Sequence, residues 1–111
     1  MFRTTAAATL LLSLAACSAS HEGSEVTYCD VKPVFEESCE RCHGETPQYG
    51  APISLTTYHQ IYSNRSTIEV YVRADIMPFT GSGIQPPVEP LTPDDKQLIL
   101  DWIDGGAPDC H

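Results

Sequence analysis

Apolar residues recur at i, i+3, i+4 and i+8 through Val31, Val34, Phe35 and Cys39, a spacing that predicts an amphipathic helix running into Cys39. Asp30 is placed to cap its start, and Pro33 fits if it lies in the first turn. From Gly44 to Pro52 the periodicity stops, and Gly, Pro and polar residues predict a loop. Thr56 or Thr57 opens a short helix carrying Tyr58, Ile61 and Tyr62. Ser66-Thr67-Ile68-Glu69 has the form of a capping box at the head of another helix, although Ile68, Val70 and Val72 also alternate as a strand would. Met77 to Pro90, rich in Pro and Gly, predicts an extended loop. Thr92-Pro93-Asp94-Asp95 then starts the clearest helix, with a cap, a first-turn proline and acids at the positive dipole end. Leu98, Ile99, Trp102 and Ile103 form its apolar face, and Gly105-Gly106 ends it. The pattern is all-α, and 111 residues make one domain.

The first residues follow a different logic. A positive charge at Arg3 precedes the short apolar run Ala6 to Ala16, too short to span a bilayer, which takes about 20 helical residues. This is the form of an export signal. Leu14-Ala15-Ala16-Cys17 resembles the bacterial lipobox, which implies cleavage before Cys17 and lipidation of that cysteine. An ordinary Ala-x-Ala cleavage with a free Cys17 thiol is the alternative. The expected organisation is a signal over 1–16, a lipidated cysteine and polar tether over 17–27, and a folded domain over 28–111. Ser18 in place of aspartate at the second mature position implies, by resemblance to Gram-negative lipoproteins, a periplasm-facing protein of the outer rather than the inner membrane.

Fifteen acidic residues against six basic ones give a formal charge of −9, which becomes −10 when Arg3 leaves with the signal. Such a surface disfavours nucleic acid and anionic lipid faces and favours basic patches on protein partners. Solubility of an exported chain accounts for it equally well.

Five cysteines stand at 17, 29, 39, 42 and 110. Cys39-Glu40-Arg41-Cys42-His43 is a CxxCH motif: two thiols three positions apart reach the two vinyl groups of one haem, and the next imidazole reaches its iron. A zinc site would need a second Cys or His pair at short spacing, and His59 and His111 stand singly. A thioredoxin-like redox pair would need a βαβ framework that this pattern lacks.

With that motif in place, the ordered stretches YCDVKPVFEESCERCHG, DIMPF and LTPDDKQLILDWIDGGAPDC resemble exported bacterial class I single-haem cytochromes c. The resemblance implies about four short helices around one covalent haem c, bound through Cys39 and Cys42 with His43 and Met77 as axial ligands of the iron. Met77 is the only methionine left after signal removal, and His21, His59 and His111 remain alternatives. A metal-binding site, a membrane-anchored one-electron carrier rather than an enzyme, and redox-protein partners belong to the same expectation. A haem enzyme or sensor with an exchangeable sixth site, binding peroxide or a gas, is the alternative function. Pro52 matches the family's proline segment after the motif, near the carbonyl that should accept from His43. Arg65, Arg73, Tyr58, Tyr62 and Trp102 are candidates for propionate contacts, with surface or core roles equally open. Packing of first helix on last in that fold implies a Cys29–Cys110 disulfide.

Overall fold

Helices α1 (Tyr28–Ser38), α2 (Glu40–His43), α3 (Tyr58–Ser63), α4 (Arg65–Arg73) and α5 (Pro93–Asp104) carry the fold of a computed structural model that describes residues 25–111. The expected signal over 1–16, Cys17 and the tether as far as residue 24, with His21, lie outside the described residues. Among the described residues there is no strand, so the chain is all-α. No described helix is long and apolar enough to cross a membrane.

Thr27, not Asp30, is the N-cap of α1; Asp30 sits at N3 and its carboxylate accepts from the Thr27 backbone N–H at 2.8 Å. With the helix starting that early, Pro33 lies past the first turn, where it withholds an N–H from the carbonyl of Cys29. The folded unit also begins before Tyr28. Val26 packs on the core, and Glu25 pairs with the C-terminal His111 at 3.3 Å.

Thr57 caps α3 with Gln60 in a reciprocal box. The region expected to open at Ser66 instead starts one residue earlier, at Arg65 after Asn64, without a side-chain cap. It is a helix and not a strand. Ile68 and Val72, four apart, face inward, while Val70 points into solvent at 62 % exposure. For α5 the expected start holds, with Thr92 Oγ1 accepting from the Asp95 N–H at 3.1 Å. Its buried face is Ile99, Leu100 and Trp102, with Leu98 and Ile103 at the margins.

The core gathers where α5 crosses α1 and α4. Phe35 packs edge-on against Trp102 at 6.1 Å, and Tyr28 bridges Trp102 and Tyr58. The turn after α5 is tied down by polar tips: Trp102 Nε1–H donates to Pro108 O, Tyr58 OH to Ala107 O, and the Tyr28 N–H to Pro108 O. A Cys29–Cys110 disulfide, Cα–Cα 5.4 Å, fastens the head of α1 to this tail.

Candidate functional site

A predominantly apolar cavity of about 500 Å³ opens beside this core. Small-molecule and cofactor sites have about this size, roughly 300–1,000 Å³, and this mix of apolar wall and few polar groups. Two segments frame most of it. One is the attachment segment, from the end of α1 through the CxxCH motif to Leu55; the other is a strap from Met77 to Leu91. Ile68, Tyr71 and Val72 of α4 complete the wall.

The attachment segment is short because α1 ends at Ser38 and the chain turns at once into the single-turn α2. The Cys42 and His43 N–H groups both donate back to the Cys39 carbonyl, at 3.2 and 2.9 Å, which holds the two thiols and the imidazole on one turn. Gly44 follows because a side chain there would place its Cβ 2.9 Å from the Glu40 carbonyl oxygen. The chain then loops round and returns antiparallel, with the Leu55 N–H donating to His43 O at 2.7 Å.

His43 Nδ1 lies 2.9 Å from the carbonyl oxygen of Ile53. A carbonyl only accepts, so Nδ1 carries a proton, and Nε2 is the ring nitrogen this contact leaves free. The expected orienting bond is therefore present, but from the residue after Pro52. Pro52 itself lines the cavity.

Cys39 and Cys42 are unbridged and half-buried. Burial, then Cys42 and then Glu40, pushes the Cys39 thiol up to about 12. The βαβ framework that a thioredoxin-like redox pair needs is missing, since the described residues hold no strand.

Among the axial-ligand candidates, Met77 lines the cavity with His43, whereas His59 is exposed on α3 and His111 pairs with Glu25 at the far end. None of the five candidates for propionate contacts lines the cavity. Trp102 is fully buried in the core and spends its N–H on Pro108; Arg73 is exposed and pairs with Glu69 at 3.0 Å and Asp104 at 3.9 Å. Arg65 folds over the Tyr62 ring at 3.9 Å, and Tyr58 binds Ala107. Their polar ends serve the fold.

The cavity's basic group is instead Arg41, the second variable residue of CxxCH, with Asn64, Thr67 and Tyr49 as further polar wall. Nothing in helical periodicity marks Arg41, although its place inside the motif could have.

The metal-binding expectation needs correction. Among the described residues no group of three or more His, Cys, Asp or Glu is gathered to hold a metal ion. The acids that would complete such a set are spread over the outer surface, and none of them lines the cavity. The described residues thus gather no such cluster. What they do present is one imidazole, one thioether and two thiols around an apolar space.

Compared with protein-family models, with characterised proteins and with solved structures, the chain matches none.

Proposed function

We propose that the protein is a one-electron carrier of the class I cytochrome c type, holding a single haem c through thioethers to Cys39 and Cys42, with His43 and Met77 as axial ligands. The observation that carries this reading is the convergence of all four residues on one apolar cavity of about 500 Å³, with His43 Nδ1 already engaged by Ile53 O. The packing of α1 on α5 and the Cys29–Cys110 bridge agree with it.

When bound, the haem supplies a reversible one-electron change at its iron. The chain's own part is positional. Ile53 O accepts from Nδ1 and so fixes the His43 ring, leaving Nε2 as the atom that would donate to the iron. Met77 offers a soft thioether, which raises the potential relative to a second imidazole. Phe35, Ile68, Val72 and Ile84 exclude water, lowering the local dielectric. No side chain is asked to act as nucleophile or general base.

In this reading the chain is exported, lipidated at Cys17 and tethered to the outer membrane facing the periplasm, and its acidic surface docks on basic faces of redox partners.

Co-expression with haem-attachment machinery tests the reading. The mature protein should gain the mass of one haem and show a low-spin spectrum with a methionine charge-transfer band; Met77→Ala should abolish the band and lower the potential. An unmodified mass overturns the haem, and a high-spin spectrum that binds peroxide or gases would favour an enzyme or sensor. Fractionation of cells expressing wild type and Cys17→Ala tests the anchor: a wild type found wholly in the soluble periplasm overturns it.

A further inference from the structure

The strap is the weakest-tied part of the described chain. Apart from one turn at Ser82–Gly83, no backbone hydrogen bond ties residues 78 to 91 to themselves or to the rest of the described chain, and only Ile84 among its side chains is buried. Yet it supplies Pro78, Phe79, Ile84, Val88 and Leu91 to the cavity and follows directly on Met77. Its side-chain hydrogen bonds within the described residues all come from one residue, 45 and 46 positions away: the Arg41 guanidinium donates to Pro86 O and to Pro87 O.

Three further features set this contact apart from an incidental surface one. Arg41 makes no ion pair within the described residues, despite a formal charge of −9 on the chain. Both acceptors are carbonyls of prolines, residues that fix the backbone carrying them. And Arg41 lies between Cys39 and Cys42, on a turn that the Cys39 carbonyl and the 53–55 return hold in place.

We propose that Arg41 is the latch of the strap: a positioning residue that closes the 78–91 segment over the cavity and thereby keeps the Met77 thioether at its post. The link is mechanical. The strap is anchored at Met77, whose N–H donates to Tyr71 O at 3.2 Å, and again at α5; Arg41 pins the stretch between. Without the pin, that stretch is held by apolar contact alone, and Met77 at its base gains freedom to swing away. The assignment of Met77 as ligand rests on the reading of the preceding subsection; the latch itself does not.

Two measurements on the full chain separate the two. Chymotryptic nicking after Phe79, which is 52 % exposed, requires the strap to open and can be followed with or without haem. Arg41→Met keeps the apolar stem and removes the donors; it should speed nicking about ten- to a hundredfold, the range expected for loss of hydrogen bonds from a charged donor. Arg41→Lys, a single point donor, should fall between wild type and Arg41→Met. In haem-loaded protein the same two variants should show imidazole displacing Met77 faster in the same order, with covalent haem content and far-ultraviolet melting unchanged. Nicking at the wild-type rate in both variants overturns the latch whatever the wild type binds. Faster nicking with unchanged imidazole kinetics keeps the latch and overturns its hold on Met77, while a wild type without haem overturns only the carrier reading.

Discussion

The two segments that frame the cavity are built on opposite principles. The attachment segment, 38–55, is cross-braced: the Cys39 carbonyl takes two N–H groups, Leu55 bonds back to His43, and Ile53 fixes the imidazole. It also hangs from α1, whose Val31 and Phe35 are among the most buried side chains of the core. The strap, 77–91, has prolines in place of donors and no backbone ladder, so apolar contact and Arg41 hold it. Under the proposed carrier reading, this asymmetry would keep His43 fixed while allowing adjustment at Met77. The braced side is expensive to deform and the strap is not.

Core substitutions probe the braced side hardest. Phe35→Ala, at a residue 1 % exposed and packed edge-on to Trp102, should cost about 3–5 kcal/mol in denaturant unfolding. A loss below about 1 kcal/mol would break the claim that the attachment segment stands on the core. Next comes the Cys29–Cys110 clasp. Cys29→Ser with Cys110→Ser releases a loop of separation 81 and should cost about 2–4 kcal/mol, read as a fall in Tm, with the absorption spectrum of the site unchanged. A changed spectrum would mean that the clasp shapes the cavity as well as the chain ends.

The strap should answer more weakly. Ile84→Ala removes its one buried side chain, but unbraced surroundings can settle into the space, so about 2 kcal/mol is expected, the low end for such a truncation. Differential scanning calorimetry distinguishes that from the larger loss a rigid wall would show. Phe79→Ala, half in solvent, should move stability by no more than about 0.5 kcal/mol, measured by urea titration. A large effect there would show that the strap is load-sharing after all and erase the contrast.

Much of this was legible before any coordinates. The CxxCH spacing and the capped start of α5 depend on local sequence, and the pairing of Cys29 with Cys110 was implied by the resemblance, in which the first helix packs on the last. Helix boundaries were less so. Asp30 and Ser66 each have the chemistry of a cap, and Thr27 and Asn64 took those places because competing caps a few residues apart differ by less than the packing of Tyr28 or Ile68. The polar ends of Trp102 and Tyr58 were left open between a cofactor and the core for a related reason. A side chain's hydrogen-bond partner is whatever acceptor the fold leaves beside it, and here the turn after α5 leaves the carbonyls of Ala107 and Pro108.

The sequence by itself determined the all-helical build and the cysteine–histidine set at 39, 42 and 43, because periodicity and spacing act over a few residues along one chain. Only the tertiary structure decided which carbonyl orients His43, that Met77 and not His59 or His111 shares its cavity, that metal-binding clusters are lacking among the described residues, and that Arg41 holds the strap. Each of those depends on segments ten or more positions apart meeting in space, and a contact of that kind is set by how the helices pack rather than by the residues next to it in the chain.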